Sequence, residues 1–153
     1  MKKVATLKTR ILAKKITPPF LDWQESYADL LNFEETSSHH QWLGSDIEFY
    51  FFTAPVGEDF YDQEAWVARS AFGPELASEE EVFTYDLAAG EAMRYELPLK
   101  FWDFHWKDLI LHYQKAREKL QILPEGSELQ ATWRLKLIGG EKIVMEFFTD
   151  NGQ

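Results

Sequence analysis

Between Leu97 and Leu120 the chain runs Leu97-Pro-Leu-Lys-Phe-Trp-Asp-Phe-His-Trp and on through a segment in which Trp102, Trp106, Leu109, Tyr113, Ala116 and Leu120 recur three or four residues apart. That spacing puts all six on one face of a helix, so it predicts a strand that ends at Pro98 and a long amphipathic helix behind it. Such a stripe needs an apolar surface to cover. Segments that alternate with a period of two flank it on both sides, which predicts a helix packed on a sheet rather than a helical bundle.

Ahead of this unit, alternation from Val4 to Ile16 predicts a first strand, closed by Thr17-Pro18-Pro19 because proline cannot donate to a ladder. Phe20, Trp23, Tyr27, Leu30 and Leu31 then mark a first amphipathic helix to about Glu35, followed by a polar loop that holds His39 and His40. Strands are expected around 47–53, 65–72, 83–87 and 93–97, with turns at Gly73-Pro74 and at Ala88-Ala-Gly-Glu91. Leu129 to Leu137 and Lys142 to Thr149 complete about seven strands around the Gly139-Gly140 turn. The expected class is α+β: a mostly antiparallel sheet with two amphipathic helices in a single domain over 1–153. Each helix follows a strand closed by proline and opens near an Asp and a Trp, so a duplicated β-α-β-β unit is one arrangement of these parts.

The final hairpin allows two registers. A two-residue loop would pair Trp133 with Glu146 and Leu137 with Lys142, and so put charges on the apolar face. A three-residue loop, Gly139-Gly140-Glu141, pairs Leu137 with Ile143, Leu135 with Met145 and Trp133 with Phe147. It sets Arg134 opposite Glu146 on the other face, and hydrophobic pattern selects this register. Glu146 is then a cross-strand ion-pair partner turned outward.

The net charge is -10, but it is unevenly spread: residues 1–15 hold six Lys/Arg and no acid, while residues 16–99 hold eighteen Asp/Glu and only Arg69 and Arg94. An acidic middle of this kind disfavours nucleic acid and anionic lipid and suits a basic protein partner. Acidity for solubility alone is an equal reading of the same counts. No apolar run reaches the roughly 18 residues of a membrane span. With no cysteine there is neither a disulfide nor a thiolate, which fits a cytoplasmic protein.

No catalytic constellation stands out, and neither a metal nor a cofactor is expected. His39 and His40 are adjacent in a loop without a second ligand cluster. His105 and His112 are seven residues apart, about 10 Å along a helix, which is too far for one ion. Glycine-rich phosphate loops and Gly-x-Ser-x-Gly are absent. Aromatic residues reach 16% of the chain, and Trp42, Tyr50, Trp66, Phe101 and Phe104 exceed what one stripe per element requires. Most of them suit the core, but Phe101, Trp102, Phe104 and Trp106 at the start of the second helix face nearly all round, so one side needs more core, a ligand or a partner.

The segment Glu96-Leu-Pro-Leu-Lys-Phe-Trp-Asp-Phe-His-Trp-Lys resembles a motif of contact-dependent-inhibition immunity proteins, over about residues 96–120. The resemblance implies a non-enzymatic inhibitor that neutralises a basic toxin nuclease or similar enzyme. The toxin-facing surface diverges within such families, so no contact residue transfers. Charge and aromatic excess instead name Asp46, Glu48, Glu58, Asp59, Asp62, Glu64, Phe101 and Phe104 as candidate partner contacts, with Asp46 to Glu96 expected to form a continuous acidic surface. Separately, Ile143-Val-Met-Glu146-Phe-Phe is similar to the last-strand glutamate segment of the gyrase-inhibitor-like ligand-binding fold. That resemblance implies a duplicated β-α-β-β fold with an aromatic-lined cleft for a small molecule. The outward register of Glu146 and the missing glycine segment before the second helix depart from it.

Overall fold

The computed structural model describes residues 2–17, 23–52, 58–120 and 133–148, apart from the side chains of Glu58 and Asp59. The chain forms β1 (Lys2–Thr6), β2 (Thr9–Ile16), α1 (Trp23–Thr36), β3 (Gln41–Trp42), β4 (Ile47–Phe51), β5 (Ala65–Phe72), β6 (Phe83–Leu87), β7 (Gly90–Lys100), α2 (Leu109–Lys119), β8 (Trp133–Ile138) and β9 (Lys142–Phe148). The α+β class is as expected. The strands join one antiparallel sheet in the order β1-β7-β9-β8-β4-β5-β2-β6, with the short β3 on β5.

This order is symmetric about the β4–β8 seam. The set β2-α1-β4-β5 pairs as β2-β5-β4, and the set β7-α2-β8-β9 pairs as β7-β9-β8. These are the two β-α-β-β units expected from the sequence. Each is led by one further strand, and the leaders are exchanged. β1 leads the first unit but pairs with β7, and β6 leads the second but pairs with β2. The register is continuous through the exchange: Thr6 faces Gly90 and Thr9 faces Leu87.

The exchange bends the sheet. β1 and β2 stand six places apart in the strand order, about 29 Å in a flat sheet at ~4.8 Å per strand. Only Leu7 and Lys8 join them, and three Cα steps span about 11 Å at most. Ala88 and Ala89 impose the same limit between β6 and β7. A flat sheet cannot meet both limits, so the sheet curls.

The links also explain why one expected strand becomes two. Alternation through Val4–Ile16 cannot show that the chain changes neighbours at Leu7, which is 81% exposed. A second correction concerns Pro98, which lies inside β7 at a register shift between Glu96 and Lys100, a position where a strand tolerates proline. A third concerns the second helix. Phe101–Asp103 and Trp106–Asp108 are separate 3-10 turns, and α2 begins only at Leu109. Trp102 accordingly leaves the stripe and is 68% exposed, while Leu109, Tyr113, Ala116 and Leu120 stay buried.

Both helices cover one face of the sheet. Trp23 of α1 and Leu109, Tyr113 and Ala116 of α2 close over Phe49, Phe51, Trp133, Leu135, Met145 and Phe147. Trp133 stacks on Phe51 with ring centres 4.1 Å apart. Trp23 and Trp106, the tryptophans that precede or open the two helices, meet at 5.6 Å with Phe49 edge-on to both. Tyr61 fixes the start of α2: its hydroxyl donates to the Lys107 carbonyl at 2.6 Å and accepts from the Ile110 amide at 3.3 Å. The hairpin adopts the three-residue register, Trp133 facing Phe147 and Leu135 facing Met145, with Gly139 and Gly140 at φ of 63° and 70°. Because Leu135 is fully buried, Leu135→Ala should cost about 3 kcal/mol in urea unfolding, whereas Leu7→Ser should stay within ~0.5 kcal/mol.

Candidate functional site

The face away from the helices carries the polar chemistry. Cross-strand registry places Lys2, Arg94, Glu146, Arg134, Tyr50, Trp66 and Lys15 in one row across the sheet. The next row runs Glu96, Val144, Lys136, Glu48, Ala68, Ala13 and Phe83. Neither described helix lies on this face, yet Glu146 and Ala68 are fully buried and Glu48, Tyr50 and Arg134 nearly so. The curl turns the middle of the face inward.

Four charged side chains and a tyrosine satisfy one another there. Arg134 donates from Nε to Glu146 Oε1 at 2.6 Å and from Nη1 to Glu48 Oε1 and the Tyr50 hydroxyl, both at 3.0 Å. Arg94 donates from Nε and Nη2 to the other Glu146 oxygen, at 2.8 and 2.6 Å. The Tyr50 hydroxyl donates to Glu48 Oε1. Burial by itself would raise the Glu146 carboxyl. The charge of Arg134 and hydrogen bonds from Arg94 and Arg134 outweigh it and hold the group below the usual carboxylate range. Burial likewise opposes the charge on Arg134, but Tyr50, Glu48 and Glu146 keep it protonated. Burial first, then the charge of Glu48, pushes the Tyr50 phenol well up.

Glu146 pairs with Arg134 as the hairpin register requires, but it does not face outward. That is a correction, and its reason is the curl, which turns the middle of the helix-free face inward. With both its oxygens engaged by guanidinium groups, Glu146 is not placed to act as a free base.

Around this network the wall is aromatic and partly open. Phe52, Trp66, Leu87 and Phe148 are half-buried against Ile11, Tyr50, Ala68 and Phe83. Phe52 and Trp66 have ring centres 4.3 Å apart, and Tyr85, 42% exposed, meets Trp66 at 5.4 Å. The Arg134 guanidinium lies 5.1 Å from the centre of the Phe148 ring.

The residues expected to meet a partner are dispersed. Glu48 is 3% exposed and belongs to the buried network, and Phe104 is 8% exposed and packs on Trp106. Neither is available to a partner, because each fills the interior on its own side of the sheet. Phe101 is half-buried against the core. Asp46 accepts a hydrogen bond from the Gly139 amide at 3.0 Å and anchors the hairpin turn. Asp62 and Glu64 are exposed, while the side chains of Glu58 and Asp59 lie outside the described residues.

The expected continuous acidic surface is interrupted by the basic N-terminus itself. Lys3 pairs with Glu91, Arg10 with Asp86, and Lys14 with both Asp29 and Glu81. His40 is buried, with its ring nitrogens bonded to the Ser37 hydroxyl at 2.8 Å and the Pro74 carbonyl at 2.9 Å. Arg94 was not among the expected site residues. Its signal in the sequence was its isolation, as one of two cations among eighteen acids.

No protein-family model matches the chain, and neither does any curated protein. Solved structures do share its fold. The cryo-EM structure of the EcmrR–DNA complex in EcmrR-RPo matches with a TM-score of 0.67 at 10% identity, over 95% of this chain and 55% of that one. The chain thus spans about 55% of that protein's length. The crystal structure of the EcmrR C-terminal domain matches with a TM-score of 0.63 at 10% identity, over 97% of this chain and 96% of that domain. The likeness is one of fold. No helix among the described residues is long and apolar enough to cross a membrane.

Removing one partner of a buried ion pair strands the others, so Arg134→Met should cost about 3–5 kcal/mol in urea unfolding at pH 7. Because Glu146 titrates below its unfolded value of roughly 4.3, its contribution is present above that pH and lost as pH falls through the folded value. Urea midpoints measured from pH 6 down to pH 3 should therefore decline, and Glu146→Gln should flatten that decline.

Proposed function

We propose that the protein is a non-enzymatic, cytoplasmic small-molecule-binding module whose ligand lies against the aromatic wall of the inward face. The observation that carries this reading is the cluster of Phe52, Trp66, Tyr85 and Phe148, partly open to solvent and set beside a largely buried charge network. Half-exposed rings on rigid strands give a planar ligand apolar contact with little ordering cost. The site lies on the face away from the helices. Between the helices and the sheet, the large side chains of the main core occupy the space a central cleft would need. The paired state of Glu146 favours binding over catalysis, since a ligand there meets fixed hydrogen bonds rather than a free base.

Naphthalen-1-ylmethanol, a neutral planar alcohol, should bind measurably by isothermal titration calorimetry, and Trp66→Ala together with Phe148→Ala should weaken it about tenfold or more. Absence of binding by the wild-type protein would count against the reading.

A second reading, a protein-binding inhibitor of immunity type, is favoured by one observation: Trp102, expected in the core, stands 68% exposed beside exposed Asp103. An exposed tryptophan with an acidic neighbour is the kind of anchor a basic enzyme surface can accept. Trp102→Ala should leave the urea midpoint within ~0.5 kcal/mol of wild type, yet abolish a stoichiometric complex with a basic nuclease if one forms. A complex that survives the substitution would remove Trp102 from the interface.

A further inference from the structure

The sign of the charge at the open end of the face says more about the ligand than the aromatic wall does. The two central rows carry five cations, Lys2, Arg94, Arg134, Lys15 and Lys136, against three carboxylates, Glu146, Glu48 and Glu96. A locally positive strip thus crosses the middle of a protein whose net charge is -10.

Within the strip, Glu146, Glu48 and Arg134 are buried and bonded to one another, whereas Arg94 is only partly used. Both oxygens of Glu146 are bonded to Arg94 and Arg134, and Glu146 is fully buried. Arg94 spends Nε and Nη2 on a single Glu146 oxygen, and its side chain is 31% exposed. A guanidinium has five N–H donors, so Arg94 keeps donors, including those of Nη1, without a described protein partner. Lys2, exposed, stands directly opposite Arg94 on the neighbouring strand. Two like charges in that position repel each other, and an anion between them reverses the sign of the interaction.

The aromatic floor begins next to this pair. Phe148 faces Ala92 while Glu146 faces Arg94, so Phe148 lies diagonal to Arg94, roughly 7–8 Å away on a pleated sheet. From Phe148 the rings continue toward Phe52 and Trp66.

Building on the small-molecule reading above, we infer that this face selects a planar aromatic carboxylate, with the ring on Phe148 and the carboxylate on Arg94 and Lys2. A cationic ligand would meet the strip's excess positive charge and find no unpaired carboxylate in Glu146; Glu96 is exposed, but it lies on the far side of Arg94 from Phe148.

The test compares three probes with one ring system: 1-naphthoate, naphthalen-1-ylmethanol and 1-naphthylmethylammonium, titrated calorimetrically at pH 7 into the full chain. A charge-assisted hydrogen bond is worth enough that naphthoate should bind about tenfold tighter than the ammonium. Arg94→Gln should erase that preference, weakening naphthoate and strengthening the ammonium while leaving the neutral alcohol within about threefold. A merely structural Arg94 would instead weaken all three together. If Arg94→Gln does not fold, Lys2→Gln, at an exposed position, should still reduce the preference, and added salt should reduce it further. Ammonium binding as tight as naphthoate binding in the wild-type protein overturns the charge inference and leaves the small-molecule reading standing. Failure of all three probes overturns both.

Discussion

Two pairs of residues, Leu7-Lys8 and Ala88-Ala89, impose the constraint on which the rest of the structure depends. Each joins a strand in one half of the sheet to a strand in the other, across a gap that a flat sheet would open to about 29 Å. The curl that closes the gap has two consequences. It ties the halves together by exchanged strands as well as by the β4–β8 seam, so neither half owns a complete sheet. It also turns the middle of the helix-free face inward, and that burial makes its charges matter.

A buried ion pair is poor evidence of stability, since removing charge from water costs about as much as the pairing returns. Its structural value here lies in completeness. Arg134 binds Glu146 and Glu48, and Glu146 also binds Arg94, so the network spans β7, β9, β8 and β4 with formal charges that cancel. A one-residue slip of any of those strands would strand a charge in the interior. The network thus specifies register across four strands, in addition to the apolar pattern on the opposite face.

The β8–β9 hairpin was legible in the sequence because Trp133, Leu135 and Leu137 offer only one register that keeps charges off their face. The β-α-β-β duplication was legible for a related reason: each unit repeats a strand, an aromatic-led helix and two strands. Local patterns could not reveal which strands are exchanged. Alternation runs unbroken through Leu7, and nothing near it in sequence says that β1 belongs beside β7. The burial of Glu146 was hidden for the same reason, since it follows from the curl and not from its own strand. The charge segregation is partly resolved within the chain: Lys3, Arg10 and Lys14 of the basic first fifteen residues meet Glu91, Asp86 and Glu81 of the acidic middle. What separates them in sequence is the distance that strand exchange closes.

The two β-α-β-β units differ in what they contribute to this face. The first unit contributes Tyr50, Phe52, Trp66, Ala68 and Ala13 to it, together with the charged Glu48 and Lys15. The second contributes Arg94, Arg134 and Glu146, with Phe148 as its aromatic member. The two chemistries meet at the seam, where Tyr50 faces Arg134 and the Arg134 guanidinium lies 5.9 Å from the Tyr50 ring and 5.1 Å from that of Phe148. Two identical halves would place like charges or like rings across that seam. The difference between the two units at the seam avoids that repulsion and leaves an apolar region beside a charged one. On the small-molecule reading proposed above, that asymmetry would orient a flat ligand with a charged end as well as hold it.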